Sequence, residues 1–283
     1  MFKFGNFDTK LEDEVNEENE AECLMPCLEI ELNSRSSYSN ENQCTFAIDN
    51  LEIQYFNPST VLQDSSVNDS TIIEAEKNHS DLLEGVYEGG LKIWECTYDV
   101  ANYLCTRCRN LITDKQVLDL GCGSGILGII AYKLGASVVH FQDYNEGVIK
   151  HLTMPNVAIN GDEILNKSKF WSGDWNNFTS INNIKYDIIL TSETIYNPKN
   201  YKKLLKVFKN FLKPDGIVIL GGKSYYFGVG GSMAQFQDII KEDNKLAYEN
   251  VWSAEEGRQS YTISAFQFYL SILPIIIFHY FRN

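Results

Sequence analysis

The sequence is poor in the residues that bind metals. It contains four histidines, none of them at a spacing that metal sites use: His79, His140, His151 and His279. Its seven cysteines are irregularly spaced, and the C-x-x-C pair formed by Cys105 and Cys108 has no second pair beside it. Because a structural zinc site needs four ligands, we expect no metal in this protein.

Neither a secretory signal peptide nor a disulfide framework is visible in the sequence. The first residues, MFKFGNFDTKLEDE, contain no apolar run of the kind that a secretory signal has. Irregular cysteine spacing is typical of reduced thiols inside the cell. The sequence therefore predicts a protein of the cytoplasm and nucleus.

Positive charge is scarce, but only in the first third of the chain. Residues 1–90 hold 20 acidic and 4 basic side chains, whereas residues 91–283 hold 18 and 20. The run DTKLEDEVNEENEAE has too little apolar surface to fold alone, so we expect residues 1–80 to form an acidic, largely disordered region. The alternative role for this run is to attract a basic protein. Neither part shows the clustered positive charge of a nucleic-acid binder, so we expect no direct nucleic-acid contact.

Long apolar runs are rare, and the exception lies near the C-terminus. Residues 260–278, SYTISAFQFYLSILPIIIF, carry no charge over a length that just raises a membrane anchor. Gln267, two serines and Pro274 argue against a membrane span, and the β-rich first half favours a sheet strand. We expect a buried strand followed by an atypical apolar tail at about residues 271–283, with an anchor as the alternative.

From residue 81 to 283, short apolar runs alternate with helical patterns. The runs predict five strands, QVLDLGCG, SVVHFQDY, KFWSGDW, YDIILTSE and GIVILGGK, and a closing antiparallel pair, LAYENVW and YTISAFQFYL. Helices are predicted from about Ile126 to Leu134, over residues 145–160 with an irregularity at Pro155, and after the N-cap Asn197. A further helix is predicted over SMAQFQDIIKEDN. This pattern is typical of an α/β fold with a doubly wound, seven-stranded, mostly parallel, Rossmann-like sheet.

The stretch VLDLGCGSGILG, residues 117–128, fits two kinds of cofactor loop. Its glycines match the dinucleotide fingerprint, but Asp119 would place a carboxylate near a pyrophosphate, which electrostatics disfavours. S-adenosylmethionine has no phosphate and carries a sulfonium and an ammonium group, so a carboxylate beside Gly121 and Gly123 suits it. Asp143, after the second strand, is placed to accept hydrogen bonds from a ribose with either cofactor. The loop predicts S-adenosylmethionine, and an NAD oxidoreductase is the alternative.

Five motifs bring a more specific resemblance. GVYEGGLKIWECTYD, VLDLGCGSGILGI, HFQDYN, TSETIYNP and YYFGVGG occur in this order between about residues 80 and 232. Together they closely resemble the eukaryotic histidine protein methyltransferases, which belong to the seven-β-strand methyltransferases. The resemblance implies methylation of a histidine ring nitrogen, usually the tele nitrogen, in a basic large-subunit ribosomal protein. Beyond residue 257 the family pattern fades.

The resemblance and the architecture imply a set of cofactor-binding residues. Trp94 is expected to cover the cofactor and Glu95 to bind its ammonium group. Gly173 and Asp174 are expected at the adenine edge, with Trp175 as a stacking face. The full predicted set is Ile93, Trp94, Glu95, Cys96, Thr97, Asp119, Gly121, Gly123, Gln142, Asp143, Tyr144, Gly173, Asp174, Trp175, Thr191 and Ser192.

Glu193 and Tyr196 are the predicted catalytic residues. A histidine is mostly neutral at pH 7, so its methylation needs no strong base. A carboxylate that accepts the other ring N–H fixes the tautomer and stabilises the developing imidazolium, which is the role expected for Glu193, while Tyr196 orients the ring. A protein-lysine methyltransferase of the same fold and a non-catalytic escort of a basic ribosomal protein remain alternatives. We expect a monomer, and we expect the glycine-rich YYFGVGGS to form either a substrate lid or a tight turn.

Overall fold

The protein is described here from a computed structural model, which describes residues 25–31, 42–48, 50–59, 69–77, 81–254 and 261–268. The strands are β1 Leu28–Glu29, β2 Gln43–Ile48, β3 Leu51–Phe56, β4 Gln116–Leu120, β5 Val138–Asp143, β6 Phe170–Ser172, β7 Tyr186–Ser192, β8 Leu212–Lys223, β9 Leu246–Ser253 and β10 Tyr261–Phe268. All the strands predicted between residues 116 and 268 are present.

The helices alternate with these strands, as the sequence predicts. They are α1 Ser70–Lys77, α2 Glu95–Arg107, α3 Arg109–Ile112, α4 Ile126–Lys133, α5 Glu146–Val148, α6 Met154–Ile159, α7 Asp162–Asn166, α8 Trp175–Ile181, α9 Tyr201–Phe211 and α10 Met233–Asp243. A π-helical segment, Ile149–Thr153, joins α5 to α6. The irregularity expected at Pro155 thus lies just before it, and Pro155 itself stands in the first turn of α6.

The main sheet has the strand order β1-β6-β5-β4-β7-β8-β10-β9. β4 pairs in parallel with both β5 and β7, so the chain first builds one half of the sheet and then returns to build the other. β10 pairs antiparallel with β8 and β9, as predicted for a closing pair. The crevice beyond the carboxyl ends of β4 and β7 is therefore the topological switch point, where such sheets bind ligands.

The two faces of the sheet form two apolar cores. Val117 packs with α2 and α4 on one face, and the adjacent Leu118 packs with α8, α9 and α10 on the other. Successive strand residues point to opposite faces, so both must be apolar in a sheet covered by helices on both sides. This requirement is why the strands read as short apolar runs in the sequence.

Parts of the N-terminal region pack on this domain. β1 adds an antiparallel edge to β6. In the β2–β3 hairpin, Ile53 is buried and the Phe56 N–H donates to Asn156 Oδ1 at 2.8 Å. The buried Ile72 anchors α1 against a cluster that includes Val148. The domain boundary predicted at residue 80 is therefore wrong for these segments, because each of them buries apolar side chains against the domain. The acidic run at 8–22 lies outside the described residues.

In the described part of the chain, no helix is both long enough and apolar enough to cross a bilayer, and the predicted tail at 271–283 lies outside that part. Two lysines of α9 form ion pairs with neighbouring elements, Lys203 with Asp174 at 3.0 Å and Lys209 with Asp243 at 2.5 Å.

Candidate active site

A cavity of about 290 Å³ lies at the switch point, between the strand ends and a segment that we call the strap, residues 81–94. The strap is held on both sides of the crevice. On the β5 side, the Tyr144 hydroxyl donates to the Gly85 carbonyl at 2.8 Å. On the β7 side, Lys199 Nζ donates to Glu84 Oε1 at 2.9 Å. The strap therefore forms a roof over the cavity.

The loop after β4 needs glycine where it lines the cavity. Gly121 and Gly123 have φ values of +62° and +49°, which side chains rarely adopt. A Cβ on Gly121 would lie 2.6 Å from the Thr194 side chain, and one on Gly123 would lie 3.0 Å from the Gly90 carbonyl of the strap. The glycines thus leave room for close approach of backbone and strap.

Asp119 does not line this cavity, contrary to its predicted place beside the cofactor. Its carboxylate is buried beneath the loop, where Oδ2 accepts a hydrogen bond from the Gly128 N–H in α4 at 2.8 Å. Burial raises the pKa of Asp119 to about 8, opposed by the Gly128 bond and reinforced by the charge of Asp143. Asp119 therefore holds the loop against the first turns of the helix.

This burial makes the stability of the fold depend on pH. Asp119 has a pKa of about 8 in the folded protein and of 3.8 when unperturbed. Its stabilising contribution is thus complete below pH 4 and is lost as pH rises through 8. Asp119→Asn keeps an acceptor for the Gly128 N–H but cannot ionise. We expect it to reduce the fall in unfolding free energy between pH 5 and about pH 8 by at least about 1 kcal/mol. Urea unfolding of both proteins between pH 5 and about pH 8 measures it; equal slopes against pH would contradict a buried, protonated Asp119.

The end of β5 supplies a carboxylate to the cavity. Asp143 Oδ2 accepts from the Gly123 N–H at 2.9 Å and Oδ1 from the Asn145 N–H at 3.2 Å. Burial raises the pKa of Asp143 to about 6, opposed by these backbone N–H groups and reinforced by the charge of Glu88. The next residue, Tyr144, also lines the cavity.

Gln142, on the same strand, forms hydrogen bonds that connect neighbouring parts of the cavity wall. Its side chain is fully buried and donates to the carbonyls of Asp143 and Gly173, both at 2.9 Å. Its Oε1 accepts from the Trp175 indole at 2.9 Å. Gln142 therefore joins the ends of β5 and β6 and fixes the ring of Trp175, but it does not line the cavity itself.

Of the predicted residues that follow β6, some line the cavity and one does not. Asp174 and Trp175 line the cavity, and Asp174 also caps α8 through the Asn176 N–H and pairs with Lys203. Gly173 turns away, because a Cβ there would lie 2.3 Å from the Pro26 carbonyl of the N-terminal segment. The predicted role of Gly173 at the adenine edge therefore does not fit its position.

Of the five residues 93–97, three line the cavity: Ile93, Trp94 and Thr97. The Trp94 indole donates to the Gly89 carbonyl at 3.1 Å, which fixes its ring. Glu95 points outward from the start of α2, where its exposed carboxylate accepts from the Tyr261 hydroxyl, so its predicted ammonium contact is wrong in this structure. Cys96 is buried behind the cavity wall.

Glu193 stands in a backbone conformation that non-glycine residues rarely adopt, with φ +60°. Its side chain is buried; Oε1 accepts from the Cys96 N–H at 3.4 Å, and Oε2 has no hydrogen-bond partner. Burial, with the charge of Glu193 as the next cause, raises the pKa of both Cys96 and Tyr226. Both groups therefore stay protonated beside the Glu193 carboxylate, whose Oε2 is buried.

The Tyr196 hydroxyl donates to the Glu88 carboxylate of the strap. Burial and the charge of Glu88 raise the pKa of Tyr196, so the hydroxyl stays protonated. Glu88 Oε1 also accepts from the Gly85 N–H at 2.7 Å. Glu88 was missed by the sequence reasoning, although it lies within the motif GVYEGGLKIWECTYD; its presence in that motif was the available signal.

The end of β7 completes the wall. Ser192 lines the cavity, and its Oγ accepts from Thr97 at 3.5 Å. Thr191 is fully buried and shares a hydrogen bond with Thr194 at 2.7 Å, so it supports the wall from behind.

A second cavity, of about 270 Å³, shares Glu88, Trp94, Glu193 and Tyr196 with the first. Its remaining walls are Leu82, Lys223 and the side chains of Tyr225, Tyr226, Phe227 and Val229. Glu193 and Tyr196, predicted as catalytic, thus stand between the two cavities.

The lining of the first cavity suits S-adenosylmethionine in charge. This lining includes five carboxylates and three ammonium groups. All three lysines are already paired, Lys92 with Asp81, Lys199 with Glu84 and Lys203 with Asp174. An acidic wall suits a sulfonium and an ammonium group and disfavours a pyrophosphate. Asp143 is placed for a ribose diol, the glycine loop for close backbone approach, and Trp94 and Trp175 for the flat adenine.

Comparison with known proteins agrees with this reading. A family model described as lysine methyltransferase matches residues 75–227. The histidine protein methyltransferase 1 homolog of Bos taurus is 41% identical over 77% of this chain and 66% of its own. The homolog of Dictyostelium discoideum is 47% identical over 63% of this chain and 57% of its own. The chain thus spans 57% to 66% of the length of these relatives.

A solved structure shows the same fold. It is described as a SAM-dependent methyltransferase from Streptococcus mutans, with a TM-score of 0.53 and 13% identity, and the match covers 82% of this chain and 57% of that one. The family model covers more than half of the chain, and the cavity has the acidic, glycine-walled lining that the cofactor requires. The chain therefore belongs to the methyltransferase family whose model is described as lysine methyltransferase, and its cofactor is S-adenosylmethionine.

Proposed function

We propose that this protein methylates a histidine side chain of another protein, at the tele nitrogen, and that its substrate is a large-subunit ribosomal protein. The observation that carries the proposal is the unpaired Oε2 of Glu193. It is a buried acceptor in the wall shared by the two cavities. A buried carboxylate oxygen without a partner is costly, so a donor from the substrate is expected there.

A neutral imidazole matches this site. One of its ring nitrogens has a lone pair for the methyl group and the other carries an N–H for Glu193 Oε2. The bound cofactor supplies an electrophilic methyl group on its sulfonium. Glu193 fixes the tautomer that presents the free lone pair and stabilises the positive charge that develops on the ring. If Glu193 holds the pros N–H, the tele nitrogen is the one that is methylated.

Tyr196 orients the substrate ring in this proposal. Its hydroxyl is held by Glu88, so its aromatic ring is fixed in the wall beside Glu193. We expect Tyr196→Phe to lower kcat about 10-fold, because it leaves the Glu88 carboxylate without this donor and loosens the ring. Initial rates over a range of substrate concentrations measure the effect. An unchanged kcat would show that the hydroxyl has no part in positioning.

Lysine methylation is the second candidate, since the matching family model carries that description. A lysine ammonium must lose a proton before transfer, because its pKa is near 10.4, whereas histidine needs no such step. The names of the two relatives favour histidine. A non-catalytic escort gives no reason for a strained Glu193 with an orphan oxygen or for a glycine-walled cavity.

The ribosomal substrate and its place in the cell extend the proposal. The family resemblance supports a large-subunit ribosomal protein, and the net charge of −14 suits a basic partner. Such proteins are made in the cytoplasm and assembled in the nucleus, so we propose that the enzyme works in both.

Amino-acid analysis tests this function. The purified protein is incubated with methyl-labelled S-adenosylmethionine and the total protein of large ribosomal subunits from cells that lack the enzyme. After acid hydrolysis, the label is expected in methylhistidine. Label in methyllysine would replace histidine by lysine as the acceptor, and no incorporation would contradict the proposed substrate.

A further inference from the structure

The loop of residues 225–231 exposes three apolar side chains beside the second cavity. Phe227 is 79% exposed, Tyr225 48% and Val229 42%. Tyr225 and Phe227 contact each other edge to face, with ring centroids 4.9 Å apart. A cluster of exposed apolar side chains next to a cavity marks a surface that binds another molecule.

The base of this loop is fixed to the active site. Tyr226 is buried and its N–H donates to the Gly231 carbonyl at 2.8 Å. The Gly231 N–H in turn donates to the Tyr196 carbonyl at 3.0 Å. A Cβ on Gly231 would lie 2.2 Å from the Ile195 carbonyl, so no other residue fits there. Anything held by the loop is therefore held at a defined place relative to Tyr196.

The tip of the loop is open. Gly228 and Gly230 have φ values of +88° and +85°, and no atom lies within 4 Å of where their Cβ atoms would be. These glycines turn Phe227 and Val229 outward rather than fill a core. The loop is thus anchored at its base, and the apolar side chains at its tip are exposed.

The second cavity connects this tip with the reacting group. Leu82, Phe227 and Val229 line it together with Glu193 and Tyr196, and the last two also line the cofactor cavity. A volume of 270 Å³ corresponds to a width of about 8 Å, which an extended chain crosses in two to three residues. A substrate segment whose histidine reaches Glu193 therefore places its neighbours against the loop.

We propose that Tyr225, Phe227 and Val229, together with Leu82, form the docking surface for the protein substrate. It selects an extended segment that carries a large apolar side chain two or three residues from the methylated histidine. Glu88 and Glu193, in the wall shared with the cofactor cavity, favour a neutral or cationic ring there. This inference rests on the proposed function and specifies the segment that the site accepts.

Phe227→Ala tests the docking surface, with Val229→Ser as a second variant and Ile181→Ala as the matched control. Ile181 is 51% exposed at the end of α8 and lines neither cavity. The acceptor is the protein that the wild type labels in large ribosomal subunits, purified from them. We expect Phe227→Ala to raise KM for this protein about 10-fold, with kcat and the Kd for S-adenosylmethionine unchanged.

The outcomes separate the two proposals. A wild type that labels no ribosomal protein overturns the proposed function and the docking surface with it. A wild type that labels one, with unchanged KM in both loop variants, overturns the docking surface alone. A raised KM in Ile181→Ala as well, or an equal fall of kcat in the loop variants, shows a general loss of structure and also overturns it. Sequencing of the labelled peptide adds a direct check, because a histidine without a large apolar side chain within three residues contradicts the proposed selectivity.

Discussion

Glu193→Gln is expected to lower kcat by roughly 100-fold or more while S-adenosylmethionine binds as before. Glutamine has the same length as glutamate and can still accept from the Cys96 N–H, so the wall should keep its shape. It carries no negative charge to stabilise the imidazolium that forms on methyl transfer. Because that charge develops mainly in the transition state, kcat should fall more than the affinity for substrate.

The measurement is single-turnover kinetics with saturating cofactor, together with calorimetric cofactor binding. Glu163→Gln is the matched control, since Glu163 is exposed on α7 and pairs with the nearby Lys167 and Tyr132. Full turnover by Glu193→Gln with normal cofactor binding would remove Glu193 from the mechanism. Loss of cofactor binding would instead make Glu193 a part of the cofactor site.

Gly121→Ala is expected to weaken S-adenosylmethionine binding by about 100-fold. The new Cβ would lie 2.6 Å from Thr194 Cγ2, and the backbone would keep a φ of +62° that alanine disfavours. The loop must then move, and it lies between the buried Asp119 and the strap. S-adenosylmethionine, which must approach the backbone of this loop closely, then binds more weakly.

Gly161→Ala is the matched control for this substitution. Gly161 has a φ of +132°, and no atom lies within 4 Å of its Cβ position, so alanine there adds backbone strain without a steric clash. We expect it to lower the unfolding free energy by about 1 kcal/mol or more while cofactor binding is unchanged. Calorimetry of both variants at one temperature gives the comparison. Equal Kd values for Gly121→Ala and the wild type would place the cofactor away from this loop.

The strands and the cofactor loop could be predicted from the sequence because their signals are local. A strand buried on both faces must read as an apolar run, as in IVIL, residues 217–220 of β8. The positive φ at Gly121 and Gly123 needs glycine, so the turn is visible in the sequence as well. The position of the cavity then follows from the order of the strands.

The direction of individual side chains could not be predicted in this way. Glu88 and Glu95 lie in one motif, yet Glu88 reaches Tyr196 in the site while Glu95 reaches Tyr261 on β10. The choice depends on where α2 begins and on a strand far away in the sequence. The sequence also predicts that Asp119 lies beside the cofactor, whereas its carboxyl group accepts a hydrogen bond from the Gly128 N–H of α4. Residue spacing does not show whether a carboxyl group binds a ligand or a backbone N–H.

The packing of the N-terminal segments could not be predicted from composition. Composition predicts disorder for a region as a whole, but Ile53 and Ile72 are buried within it. A few apolar residues in a polar region are enough to dock a hairpin and a helix when a folded domain offers the other half of the contact. The partner surface is not visible in the segment itself.

The most direct test of the account is tandem mass spectrometry of the labelled ribosomal peptide, because the central claim is that Glu193 holds a histidine ring for methyl transfer. The account predicts one added methyl group on one histidine, present after incubation with the wild type and with Glu163→Gln and strongly reduced after incubation with Glu193→Gln. A methyl group on lysine, or a histidine methylated equally by Glu193→Gln, would contradict it.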